Sequence, residues 1–118
     1  MPKQILISDD DAGVRESLSL ILGKDYELIF TKNGQECLEY LKEAKVPELI
    51  LLDIKMPKIS GLEILKQIKK LNPTQKVIIV TGYKTVETAT EAIKAGALDY
   101  IVKPFQKQEI LNKIKLFI

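Results

Sequence analysis

Residues 48–53 read Glu48-Leu49-Ile50-Leu51-Leu52-Asp53. Four apolar residues in a row are too few for an amphipathic helix. They are also too continuous for a strand wetted on one side, so they suit a strand covered on both faces, as in a parallel sheet. An aspartate closing such a run is chemically out of place and needs a reason. Working outward, short β-rich runs bounded by turn-type residues recur at Gln4–Ser8, Tyr26–Thr31, Lys76–Thr81 and Leu98–Val102.

Between these runs the apolar spacing is helical. Val14, Leu18, Ile21 and Leu22 predict a helix over Ala12–Leu22, with Asp11 as N-cap and Gly23 as its stop. A second helix is predicted after Asn33, with Glu36 at the capping-box position and Leu38 and Leu41 on its apolar side. A third is predicted after Ser60, with Glu63 at the box position and Ile64, Leu65, Ile68 and Leu71 inward. A fourth, over about Val86–Ala95, is rich in Ala and Thr and should pack most weakly. A fifth, Lys107–Leu116, turns Ile110, Leu111 and Ile114 inward, with Gln106 a poor cap. Five strands alternating with five helices give an α/β fold: a doubly wound, flavodoxin-like parallel sheet in strand order 2-1-3-4-5. Residues 1–118 are read as one domain.

Composition narrows the chemistry. Hydrophobic residues at 46% and charged residues at 29% allow a compact core. A net charge of +2, with lysines spread along the chain, gives no case for nucleic-acid binding, and no apolar run approaches membrane-spanning length. There is no histidine and one cysteine, Cys37, in a helical stretch where a small buried role is expected. A Ser-His-Asp triad and the usual zinc sites are thereby excluded. A lone cysteine without a secretory signal fits a reducing, cytoplasmic setting.

The unusual polar residues fall at the strand ends. The first strand runs into Ser8-Asp9-Asp10-Asp11, the third ends in Asp53, the fourth in Thr81-Gly82, and the fifth is followed by Lys103-Pro104. In a doubly wound sheet these ends share one edge, and ligands bind there, at the switch between strands 1 and 3. Asp9, Asp10 and Asp53 should converge. Two like charges about 4 Å apart repel by about 4 kcal/mol at an effective dielectric near 20, so such a group calls for a cation or protons. Oxygen donors alone point to a hard ion, Mg²⁺ or Mn²⁺. With Lys103 as a mobile positive charge and Thr81 as a hydroxyl donor, the set could hold a phosphoryl group, with Asp53 as nucleophile.

Ile5-Leu6-Ile7-Ser8-Asp9-Asp10-Asp11, Leu51-Leu52-Asp53-Ile54-Lys55-Met56-Pro57 with Gly61, Val80-Thr81-Gly82 and Asp99-Tyr100-Ile101-Val102-Lys103-Pro104-Phe105 together resemble the receiver domains of two-component response regulators, over essentially the whole chain. The resemblance implies that Asp53 is the phosphoacceptor and a metal ligand, that Asp10 binds Mg²⁺ directly and Asp9 directly or through water, that the backbone carbonyl of Lys55 completes the metal shell, and that Thr81 and Lys103 contact the phosphoryl group. It makes Tyr100 a switch residue that follows Thr81, the fourth helix the moving part, and the Lys103–Pro104 bond cis. It implies a histidine kinase or phosphotransfer protein as donor, and a homodimer through helix 4, strand 5 and helix 5. The stretches Thr85–Ala89 and Lys94–Ala97 look similar to receivers of AAA+ enhancer-binding transcription activators. Ser8 stands where the family has Val or Ile and is expected to loosen strand 1. Lys55 and Tyr83 occupy variable positions that tune access of water.

Two other readings share the fold. A Mg²⁺-dependent phosphohydrolase with an aspartyl-phosphate intermediate would carry a second aspartate two residues after its nucleophile, where Lys55 stands here. A flavin or nucleotide binder would want a Gly- or Ser/Thr-rich loop after strand 1, where Asp9-Asp10-Asp11 would repel phosphate.

Overall fold

Side-chain alternation along the strands sorts the core into two halves, one on each face of a sheet. The structure is a computed structural model that describes residues 2–43, 46–54, 60–82 and 86–118, with the backbone alone at 86. Among these residues five strands, β1 (Lys3–Ser8), β2 (Tyr26–Thr31), β3 (Leu49–Leu52), β4 (Val77–Thr81) and β5 (Asp99–Val102), alternate with five helices. These are α1 (Ala12–Leu22), α2 (Gly34–Lys42), α3 (Gly61–Leu71), α4 (Val86–Lys94) and α5 (Lys107–Phe117). Every strand pair is parallel, and the order is β2-β1-β3-β4-β5, as the sequence predicts.

Ile5, Ile7, Leu49, Leu51, Ile78, Val80 and Ile101 pack with Leu18 and Leu22 of α1 and Ile110 and Ile114 of α5. Their neighbours Leu6, Ile50, Leu52, Val77 and Ile79 face the other way. They meet Cys37 and Leu38 of α2, Ile64, Leu65 and Ile68 of α3, and Ala92 of α4. The helices are anchored unequally. Fully burying a Leu or Ile side chain is worth about 1.5–3 kcal/mol, so the three from α3 contribute on the order of 5–9 kcal/mol. Among the described side chains of α4 only Ala92 is fully buried, which agrees with the weak packing expected of that helix.

Local chemistry sets the helix ends. The Asp11 carboxylate accepts from the N–H groups of Gly13 and Val14, Asn33 from that of Glu36, and Ser60 from that of Leu62. Glu36 reaches one residue beyond the expected box partner and accepts from the N–H of Lys32, at 2.8 Å. Gln106 precedes α5 with no side-chain cap bond. Gly23 ends α1, but in right-handed backbone geometry (φ −63°), its N–H donating to Ser19; the left-handed stop is Gly96, at φ 109°. At the foot of the sheet the ammonium of Lys3 donates to the carbonyl oxygen of Ile118, and that of Lys76 to Phe117 at 2.6 Å.

Gly61 brings the start of α3 against the end of β3, its N–H donating to Ile54 at 2.9 Å. A Cβ there would lie 2.4 Å from the Ile54 Cα and 2.5 Å from the Asp53 carbonyl oxygen, both backbone atoms. At Gly82 a Cβ would meet nothing within 4 Å. Gly61→Ala is therefore expected to destabilise the fold by about 1–3 kcal/mol, and Gly82→Ala to be neutral or slightly stabilising. Urea denaturation of the two variants checks the contrast.

Candidate functional site

The register of β1 on β3 brings the acidic residues together. Ser8 pairs with Leu52, and the Asp53 N–H donates to the Ser8 carbonyl at 3.0 Å, so Asp9 and Asp53 leave the sheet side by side. The Asp9 N–H donates to the Thr31 carbonyl at 3.1 Å, which ties the same point to β2. One carboxylate oxygen from each of Asp9, Asp10 and Asp53 lies within 4.8 Å of the others. Asp9 and Asp53 are buried at 2% and 4% exposure, while Asp10 is exposed. From the far side of the sheet, the Lys103 N–H donates to the Thr81 carbonyl at 2.8 Å, and the peptide bond from Lys103 to Pro104 is cis, as the resemblance implies. The Lys103 ammonium then spans the cluster, 2.7 Å from Asp9 Oδ2 and 3.0 Å from Asp53 Oδ2.

The electrostatics follow from this crowding. Burial raises the Asp9 carboxyl above its ordinary value, and the opposing hydrogen bonds from Lys103 and the Asp11 N–H do not cancel it. Burial alone would pull the Lys103 ammonium down. Its hydrogen bonds to Asp9 and Asp53, with their charges, outweigh burial and leave it raised. When ionised, three carboxylates and one ammonium leave a surplus of two negative charges. A hard divalent ion matches both that surplus and an all-oxygen donor set. No thiol competes: Cys37 is buried on α2, and burial pushes it up to about 12.

The other expected residues lie around this centre. Thr81 ends β4 and is fully buried. Tyr100 lies on β5, paired with Ile79, and packs half-buried on the α2–α4 side. Its phenol is raised by burial and then by the charge of Asp53, whose field thus reaches it. Ser8 does not behave as a weakened strand residue. It is fully buried, its hydroxyl donates to the Asn33 carbonyl at 3.3 Å and it hydrogen-bonds Cys37, tying β1 to the start of α2. Lys55, Met56, Pro57 and Tyr83 lie outside the described residues. Two contacts went unread in the sequence. The Asp11 N–H donates to Asp9 Oδ1 at 2.9 Å, and the Arg15 guanidinium donates to the Asp9 carbonyl at 2.7 Å. The only available signal for the latter was an arginine in the first turn of the helix that follows the acidic run.

Comparison with known proteins places the chain in a class. Residues 5–115 match the response regulator receiver domain. The chain belongs to that family, whose members switch in two-component phosphorelay signalling, bind Mg²⁺ at an acidic pocket and take phosphoryl groups from histidine kinases or phosphotransfer proteins. It is 42% identical to the chemotaxis protein CheY of Thermotoga maritima over 119 residues, covering 97% of this chain and 98% of that one. It is 46% identical over 101 residues to the transcriptional regulatory protein ZraR of Klebsiella oxytoca, covering 85% of this chain but only 23% of the relative, so it spans about a quarter of the ZraR proteins it matches. A CheY-like receiver domain protein from Methanospirillum hungatei superposes with a TM-score of 0.91 at 38% identity, covering 98% and 93% of the two chains. Among the described residues no helix is long and apolar enough to cross a membrane.

The raised Lys103 value carries a sign. A cation whose folded pKa lies above its unfolded value of 10.5 contributes stability that is complete below that value and is lost as pH rises through the folded one. The raised Asp9 carboxyl contributes stability that is complete below 3.8 and is lost as pH rises through its folded value. Lys103→Met should therefore be less stable than the wild type at neutral pH without divalent ions, and the gap should close above pH 10.5. Added Mg²⁺ should stabilise the variant more than the wild type. Denaturant midpoints across pH, with and without Mg²⁺, check both.

Proposed function

We propose that residues 1–118 form a single phosphorylation-dependent switch that takes a phosphoryl group on Asp53 from the phosphohistidine of a histidine kinase or phosphotransfer protein in the cytoplasm. The observation that carries this reading is the Lys103 ammonium between the Asp9 and Asp53 carboxylates at 2.7 and 3.0 Å, with Asp10 completing the acidic group. The chain has no histidine, so the donor imidazole comes from the partner. An oxygen of Asp53 forms the new P–O bond as the P–N bond breaks, and the electron pair leaves with the imidazole. Asp9, Asp10 and Asp53, with the backbone carbonyl of Lys55, would hold Mg²⁺, which neutralises charge on the phosphoryl oxygens. Lys103 pairs with the transferred group, and the Thr81 hydroxyl donates to it.

Transfer places about −1.5 to −2 charge on Asp53. Only contacts that differ between the two states shift the equilibrium. Thr81 and Lys103 supply that difference, Tyr100 follows Thr81 inward, and α4 repacks because Ala92 is its one fully buried side chain among those described. The activity is self-modification and its reversal, without turnover of a free substrate. The α4–β5–α5 face carries half-exposed Ile93 and Leu98 beside the Lys113–Asp99 ion pair, and it is the surface we assign to a homodimer. Transcription is the output we infer, from the similarity to ZraR.

Incubation with Mg²⁺ and acetyl phosphate should add one phosphoryl group by intact mass in the wild type and none in Asp53→Asn. Addition to the variant at the same rate would refute the assignment. Thr81→Ala should still accept the group but lose most of the accompanying shift in α4 amide resonances. A full shift in that variant would remove Thr81 from the switching path.

A further inference from the structure

The carboxylate of Asp10 is exposed and makes no hydrogen bond among the described residues, yet one of its oxygens stays within 4.8 Å of oxygens of Asp9 and Asp53. With no partner on its side chain among the described residues, its aim depends on the Asp9–Asp10 peptide unit. The residue ahead of that unit is tied on its own N–H and on both oxygens of its side chain. The Asp9 N–H donates to Thr31 at 3.1 Å, Asp9 Oδ1 accepts from the Asp11 N–H at 2.9 Å, and Asp9 Oδ2 accepts from Lys103 at 2.7 Å. The carbonyl oxygen, the atom that reports the tilt of the plane itself, is held by Arg15 Nη1 at 2.7 Å. Arg15 makes no ion pair among the described residues. A guanidinium whose contact among the described residues is with the neutral carbonyl of a residue in the acidic group, and not with a carboxylate, is acting on geometry. A charge-assisted bond of this length is among the stronger hydrogen bonds available to a protein.

We propose that Arg15 is a positioning residue for the divalent-ion site: by fixing the Asp9 carbonyl it sets the peptide plane that aims the Asp10 carboxylate. This rests on the Mg²⁺ reading of the acidic group. Arg15 also has a simpler role open to it, as a positive charge near the cluster, and the two roles have opposite signs. A nearby cation repels Mg²⁺, so as a charge alone its removal would tighten binding. As a positioning group its removal loosens binding, because Asp10 is released from the aim it has with the plane fixed.

The test is calorimetric titration of Mg²⁺ into the unphosphorylated wild type, Arg15→Lys and Arg15→Met, with thermal midpoints measured without the ion. Arg15→Met is expected to bind Mg²⁺ about five- to tenfold more weakly, the scale seen when outer-shell partners are removed, and Arg15→Lys to stay within about twofold. The Mg²⁺-induced shift of the Asp10 amide resonance should shrink in Arg15→Met, a readout that a loss of global stability alone would not move. Equal or tighter binding by Arg15→Met overturns the proposal. If that variant does not fold, Arg15→Gln, too short to reach the carbonyl and equally neutral, replaces it with the same expected loss. Absence of Mg²⁺ binding by the wild type would instead remove the metal reading, and the positioning role with it.

Discussion

Two buried carboxylates sharing one ammonium is the constraint around which the carboxyl edge of this sheet is organised. Asp9 and Asp53 come from different strands, so neither can be hidden without the other's field bearing on it. Only a cation reaching from a third strand makes their shared burial tolerable. That requirement explains why Lys103 begins the loop after β5 with its N–H bonded to Thr81, and why the acidic run follows β1 directly. The arrangement is poised rather than satisfied: burial still holds Asp9 above its ordinary value, and Asp10 adds a charge the lysine does not answer.

The architecture was legible in the sequence because its signals were strong and of two distinct periods. Runs such as Leu49–Leu52 admit one environment, and Asp11, Asn33 and Ser60 each announce a helix start by chemistry the structure repeats. The convergence of Asp9, Asp10, Asp53 and Lys103 followed from topology, since parallel strands deliver their ends to one edge. What escaped was whatever depends on a single side chain's reach. Nothing in the residue order says that Arg15 turns back to the Asp9 carbonyl, or that Glu36 bonds to Lys32 instead of the cap. Ser8 was misjudged for a related reason. A hydroxyl in an apolar strand reads as a defect until the Asn33 carbonyl is seen beside it.

The two halves of the core also differ in what they can transmit. On one face α1 and α5 each contribute two fully buried aliphatic side chains, Leu18 with Leu22 and Ile110 with Ile114. On the other, α3 is equally well anchored beside an α4 that is not. Tyr100 sits on that second face, within the field of Asp53. A change of charge at the edge therefore meets strong resistance in one direction and weak resistance in the other, which gives the response an orientation before any partner is present.

At the opposite end of the strands the last turn of α5 is clasped. Lys3 of β1 and the lysine just ahead of β4 grip the carbonyl oxygens of Ile118 and Phe117. A six-residue strand such as β1 spans about 20 Å, so this clasp lies well beyond the reach of one rearranging side chain at the acidic rim. The last turn of α5 is thus registered by the base of the sheet, while its body is held separately by Ile110 and Ile114 in the core.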